Sequence, residues 1–331
     1  MARTAFLLRA AFLVLIAATA NAAPFRLIVT DTETPLVPNS VLELAATLGY
    51  YAKAGVDVEL VHVQQTPSAV AALHAGGGDM ANIGFEAALE LIAQDQMKLR
   101  GVVSPDKALP FLIAAKGALA APKDLEGKVF GVARVGSADY TLSRVVLQKL
   151  GVDVSKLQYL VIGQPEVRAQ ALTAGRVDAT TISIGVWSAM PDRSPLRVMV
   201  EPGDFYRLAP FLGKLNVVTS DVAAARAAEI AGVVRAIIAA SRDFAAKPGL
   251  WVDAMVKARP DVDRSVLAAL ADSYRQSWSV DGGLEPEQLA FTTDTIYRSR
   301  DFEGLRRVEP SEWIDKSFID AALKQLGPAT P

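Results

Sequence analysis

Cysteine is absent from all 331 residues. That excludes disulfides, a thiolate nucleophile and cysteine-ligated metal. Histidine is nearly absent: His62 falls inside a strand pattern and His74 near a helix end, and neither stands in a metal-ligand spacing. No sign of charge dominates, with 34 Lys and Arg against 36 Asp and Glu and a formal net charge of -2. The densest basic stretch, Arg298, Arg300, Arg306 and Arg307, is broken by Asp301, Glu303 and Glu309. It reads as a solvated helical face, not as a footprint for nucleic acid or anionic membrane. There is no G-x-S-x-G elbow, no P-loop and no dinucleotide G-x-G-x-x-G. Gly76-Gly77-Gly78 precedes a strand instead of opening a helix, so it is a turn. Asp31 and Glu33 make a close carboxylate pair, but without a nucleophile beside them a solvated loop pair accounts for it. The expectation is no catalytic residue, no metal and no cofactor.

Long apolar runs are also missing, apart from Ala10 to Ala18. That run is shorter than the ~20 residues a spanning helix needs. Arg3 and Arg9 precede it and Ala20-Asn21-Ala22 follows, which is the pattern of a cleaved secretory signal over residues 1–22. No cysteine at the junction offers a lipid anchor, and no paired arginines suggest export of a folded chain. The expected compartment is the periplasm, with no membrane insertion after cleavage. The remaining roughly 310 residues, 51% apolar over the whole chain, suffice for two domains held by core packing alone.

What is present is a repeat. Gly55-Val56-Asp57-Val58 returns as Gly151-Val152-Asp153-Val154, and Leu73–Gly84 (LHAGGGDMANIG) returns as Leu172–Ser183 (LTAGRVDATTIS). The offsets are 96 and 99 residues, too long for a solenoid and suited to two α/β lobes of one plan. Strand, helix, strand, helix, strand is legible twice. The first pass runs through Phe25–Thr30, Val56–Val63 and Met80–Gly84, the second through Val129–Val135, Gln158–Ile162 and Val177–Ile184. Phe111–Ala115 and Leu215–Thr219 read as further strands, and everything beyond Asp221 is helical in pattern. The chain is expected to leave the first lobe near Gly117 and return near Asp204, giving lobe 1 as 23–117 plus 205–331 and lobe 2 as 118–204. Two lobes imply a cleft and a ligand.

In open α/β sheets, ligands bind beyond the carboxyl ends of strands. The loops there run from Asp31 to Pro38, Gln64 to Ser68, Gly84 to Glu86, Ser104 to Asp106, Gly136 to Tyr140, Gly163 to Gln164 and Ser183 to Trp187. They hold hydroxyls and amides that orient a ligand, and Phe85, Tyr140 and Trp187 to cover its apolar part. Thr66 and Ser137 also fit as helix caps, and Trp187 as core. Arg134 suits an anionic group, while Asp31, Glu33, Glu86 and Asp139 suit a polar or cationic one, so the ligand's charge stays open.

Leu48–Val63, Leu73–Gly84, Asp124–Ser137, Gln170–Ser183 and Trp313–Gly327 resemble, in order, the periplasmic solute-binding proteins of ABC importers in the nitrate/sulfonate/taurine and thiamine-precursor binding family. The resemblance implies the two-lobed type II periplasmic binding protein fold. Each lobe would be a mainly parallel sheet flanked by helices, with a helical C-terminal segment on the first lobe. The expected solute is a small organic one (a sulfonate, aromatic acid, pyrimidine or similar), and the expected state is a monomer. The resemblance implies closure over a small molecule and docking on a membrane permease, whose ATPase sits on the cytoplasmic side, but it does not transfer a substrate. It assigns the ligand loops to Thr32, Thr34, Thr66, Ser68, Gly84, Ser137 and Gln164, to which position in the loops adds Glu33, Phe85, Tyr140 and Trp187. The cysteine-rich motif of the thiamine-precursor synthase branch is absent. The rivals are a periplasmic lyase or dehydratase on the same fold, and a sensory binding protein serving a signalling partner.

Overall fold

The computed structural model describes residues 23–328; the leader expected over residues 1–22 lies outside them. From the amino end come β1 (Phe25–Val29), α1 (Val41–Thr47), α2 (Tyr50–Lys53), β2 (Val58–His62), α3 (Thr66–His74), β3 (Met80–Gly84), α4 (Phe85–Ala93) and β4 (Leu99–Val103). Then follow β5 (Phe111–Lys116), β6 (Val129–Val132), α5 (Ala138–Lys149), β7 (Gln158–Val161), α6 (Pro165–Thr173), β8 (Ala179–Ser183), α7 (Ile184–Ala189), β9 (Leu196–Val200) and α8 (Pro202–Leu208). The chain returns through β10 (Lys214–Thr219) and α9 (Ser220–Ala225). It ends in α10 (Ala227–Ala246), α11 (Pro248–Ala258), α12 (Arg264–Ser273), α13 (Pro286–Tyr297), α14 (Pro310–Trp313) and α15 (Ser317–Leu326).

These strands form two five-stranded sheets of one topology, β2-β1-β3-β10-β4 and β7-β6-β8-β5-β9. In each, four strands run one way and the fourth in order runs against them: β10 is antiparallel to β3 and β4, and β5 to β8 and β9. This is the type II periplasmic binding fold, with mainly parallel sheets as expected. The reversed strand in each sheet comes from the other half of the chain. β5 follows β4 but sits in the second sheet, and β10 follows β9 but sits in the first. The chain therefore crosses through residues 104–110 and again through 201–213.

The exit expected near Gly117 comes earlier than that boundary. Leu112 to Ala115 are all buried, and a strand covered on both faces takes an interior place in a sheet. On the way back, α8 stays with the second lobe, packing on α5 and β5. The α10–α15 segment covers the first lobe, where α10 packs on α1, α2 and α15, and α12 reaches over to α7. Trp251, Trp313 and Tyr274 are its largest fully buried side chains.

The repeated motif has a physical cause. Asp79 accepts the backbone N–H of Arg26 at 2.8 Å, and Asp178 accepts that of Val129 at 2.9 Å. Each aspartate also donates its own N–H back, to the carbonyls of Arg26 and Val129, at 2.8 Å in both cases. The pair locks the first strand of each lobe to the turn that precedes the third. Gly55 and Gly151 stop their helices at φ +77° and +84°, a region that costs a side chain about 1 kcal/mol or more.

Candidate functional site

The carboxyl ends of the strands, the starts of β10 and β5, and both crossovers meet on one side of each sheet. In the first lobe the charged centre is Lys214, the first residue of β10. Its Nζ donates to Thr30 Oγ1 at 2.7 Å and lies 3.8 Å from Asp31 Oδ2. Asp31 also accepts from Asn39 Nδ2 at 3.1 Å, and His62 Nδ1 lies 2.9 Å from the Asp31 carbonyl. Asn39 Oδ1 is buried with no hydrogen-bond partner, an acceptor of the kind interiors seldom leave unused.

The first crossover adds Asp106. Burial pushes its carboxyl up to about 7, with Asp31 adding to the rise and Lys214 opposing it. Ser104 Oγ, 2.8 Å from the Asp106 carbonyl and 2.9 Å from that of Lys214, ties this crossover to β10. The second crossover adds Tyr206. Its hydroxyl is bonded to Ser277 and pushed up to about 12, first by burial and then by Asp106, against the Ser277 bond. Tyr274 donates to the Leu36 carbonyl at 2.9 Å in the first lobe. A Cβ on Gly185 of the second lobe would stand 3.7 Å from the same hydroxyl.

The second lobe contributes a buried ion pair. Arg168 Nη2 is 3.5 Å from Asp139 Oδ2, and both side chains are under a tenth exposed. Arg168 also donates to Thr180 Oγ1 at 3.2 Å, to the Thr181 carbonyl at 2.9 Å and to the Gly163 carbonyl. Asp139 accepts the N–H of Ala133 at 2.9 Å. One arginine thus fixes the ends of β6, β7 and β8 and the loops they carry. Burial lowers its pKa despite Asp139 and Glu166. Across the lobes, Glu86 is raised by burial first and then by Asp301 and Glu90, while Arg134 of the second lobe pulls it down.

The expected ligand residues divide. Thr66 Oγ1 accepts the Gly84 N–H at 3.2 Å, joining two of the expected loops; it does not cap a helix. Ser137 donates toward the Arg134 carbonyl at 2.6 Å and Asp139 Oδ1 at 2.5 Å, so it too serves the loop and makes no side-chain cap bond. Thr32, Ser68 and Gln164 are exposed at strand and helix ends. Glu33 is exposed 3.7 Å from Arg259, and Thr34 is buried with its carbonyl accepting from Arg259 at 3.2 Å.

Phe85 is a correction. It is fully buried with its ring 5.1 Å from Trp313, because α4 turns its first residue into the core. Tyr140 stacks edge-on at 4.9 Å against Tyr159 and under Arg144, away from the loop ends. Trp187 is half-buried on α7 beneath Arg193. Asp139, read as a ligand-directed carboxylate, is instead matched by Arg168. Lys214, Tyr206, Tyr274 and Arg168 went unread. The reversed strand, the second crossover and the end of α12 bring in the first three from far along the chain, while Arg168 follows its loop closely but reads in sequence as a solvent-facing helix residue.

Among the described residues no group of three or more His, Cys, Asp or Glu is placed to hold a metal ion. The arrangement offers a lysine, carboxylates, hydroxyls and free helix ends, which suits hydrogen bonding and ion pairing to a polar solute.

A family model described as "NMT1/THI5 like" matches residues 40–249. No curated protein matches the chain. Solved structures similar to it include a putative periplasmic sulfonate-binding protein from Methylobacillus flagellatus KT, 17% identical with a TM-score of 0.70 over 91% of this chain and 94% of that one. The periplasmic aliphatic sulphonate binding protein from Escherichia coli is 18% identical, TM-score 0.67, over 88% and 92%. The desulfurization enzyme DSZB is 16% identical, TM-score 0.63, over 92% and 100%. At these identities the likeness is one of fold.

Proposed function

The chain belongs to the NMT1/THI5-like family, and on that footing we propose that it is the solute receptor of a periplasmic ABC importer. The observation that carries this reading is the pair of matched lobes joined by two crossovers, with polar loops of both lobes at the joint. The crossovers act as a hinge. A solute held by Lys214, Thr30 and Asp31 from one side and by the Ser137 and Gln164 loops from the other has contacts in the closed form that the open form lacks. Its binding energy therefore shifts the population toward closure, and closure presents the surface that a permease reads. Thr66 and Gly84 hold their loops in place for this. The solute is a small organic molecule with a polar head, such as a sulfonate, an aromatic acid or a pyrimidine. The protein does no chemistry on it and uses no cofactor.

The test is to strip the protein by unfolding and refolding, then screen sulfonates, aromatic acids, pyrimidines and amines by thermal shift and calorimetry. At least one compound raises the melting temperature and is recovered unchanged, and Lys214→Met weakens its binding about tenfold. Ser137→Ala and Gln164→Ala each cost about 1 kcal/mol of binding. Turnover of the bound compound would favour a second reading, an enzyme on the same fold, which the likeness to DSZB keeps in view.

A further inference from the structure

Large apolar side chains that stand exposed among the described residues are Val135 (64%), Val161 (57%), Val167 (46%) and Leu160 (43%), and all four belong to the second lobe. Leu160 and Val167 come together where β7 meets α6, while Val161 shares the opposite face of the strand with Tyr159. At that junction a groove of about 460 Å³ is lined by Leu160, Val161, Val167, Gln170 and Ala174, with Ala171 at its floor. Positions 167, 170, 171 and 174 form one stripe of the helix, at i, i+3, i+4 and i+7. β7 is an edge strand. Gln158 and Ile162 give their N–H groups to Lys128 and Val132 at 2.9 Å, so the alternate residues Tyr159 and Val161 point their backbone groups outward. The matching edge of the first lobe is guarded: β2 shows Glu59 and His62 to solvent, and the third residue of α3 is Ser68 where α6 has Val167. Charged residues on an edge are a standard defence against strand pairing, and the second lobe lacks it.

We propose that this flank is where two copies of the chain pair, β7 against β7, about a twofold axis. The geometry is self-complementary. An antiparallel pair centred on Leu160 lets Tyr159 of each copy exchange both backbone bonds with Val161 of the other. The α6 helices then lie side by side over the junction, where Ala171 and Ala174 allow close approach. Charge agrees with this placement. Exposed Glu166 stands at one end of α6 and exposed Arg176 just beyond the other, so the antiparallel arrangement sets each against its opposite in the second copy. Arg144 stays on the other face of β7, bonded to Tyr159 and stacked on Tyr140. A second groove of about 560 Å³, between α6 and α7, has no free backbone edge beside it. The pairing leaves the loops at the strand ends and the first lobe free to move.

Sedimentation of the mature chain over a wide concentration range tests this. A concentration-dependent dimer is expected, with Leu160→Lys or Val167→Asp weakening it at least about tenfold while the circular-dichroism melt stays in place. Should either variant fold poorly, charge reversal decides: Glu166→Arg and Arg176→Glu each weaken the dimer, and together they restore it. A monomer at every concentration, or a dimer indifferent to these changes, overturns the proposal. So does a monomer in which Val167→Asp abolishes solute uptake, which would assign the flank to the permease.

Discussion

Counting three residues past the first strand of each lobe gives Thr32 in one and Val135 in the other. The last residue of each edge strand is His62 or Val161, and the third residue of the next helix is Ser68 or Val167. Further along the same helices, fully buried Ala69 sits at the position of Arg168, which is buried and charged. Yet Asp79 and Asp178 make the same bonds to the same strand. The two lobes therefore agree where a group sets backbone register and differ where a side chain faces a neighbour, a ligand or solvent. Register tolerates no slip, because a shift of one residue turns a strand inside out. A surface or a loop tie has several chemical solutions.

The largest break in this comparison is expected at Arg168. Removing it as Arg168→Ala leaves Asp139 charged and buried, a loss of about 3–5 kcal/mol. Pairing it with Asp139→Leu makes the second lobe apolar there, as the first is at Ala69, and the double variant is more stable than Arg168→Ala alone. Urea unfolding of the set checks this. Next come the shared aspartates. Asp79→Ala and Asp178→Ala each cost about 1–3 kcal/mol, because each orphans a strand N–H, and similar losses in both would confirm one device used twice.

For Asp178, burial raises the pKa, but the Lys116 bond at 2.7 Å and the Val129 N–H outweigh it, so the net shift is downward. Its contribution is complete above the unfolded value and is lost as pH falls through the folded one. Asp178→Asn should flatten that acid limb in a pH series of melts. Asp106 has the opposite sign. With its carboxyl raised from 3.8 to about 7, folding disfavours the charged form and stability declines as pH rises between those values. Asp106→Asn removes the decline, whereas an unchanged profile would show that the hinge carboxyl is not the cause. The smallest effect is expected at Val135→Thr, which copies the first lobe onto the second and moves stability by less than about 0.5 kcal/mol.

The repeat made the architecture legible, because Asp79 and Asp178 each stand immediately before a strand, β3 or β8, and Gly55 and Gly151 each end a helix. Met80–Gly84 was read at its observed bounds and Val222–Ala246 as one helix that in fact breaks at Arg226 between α9 and α10. β4 and β9 went unread: Leu99–Val103 and Leu196–Val200 are short and each carries an arginine, so neither shows a clean apolar run. The exchange of β5 and β10 between sheets was also hidden, since an interior strand looks the same whichever sheet receives it. That exchange is what brings Lys214 to Asp31 and Asp106 to both. The candidate site was therefore legible in its loops and not in its charged centre. Phe85 failed for a related reason: an aromatic residue at a strand end serves the core as readily as a ligand, and only the partner across the fold, Trp313, decides.

Small-angle scattering of the protein with and without the strongest compound from the thermal-shift screen tests hinged closure most directly. The account predicts a smaller radius of gyration and a shorter maximum dimension at saturation, with both changes lost in Lys214→Met at the same ligand concentration. Superimposable curves from the free protein and the calorimetrically saturated protein would contradict it.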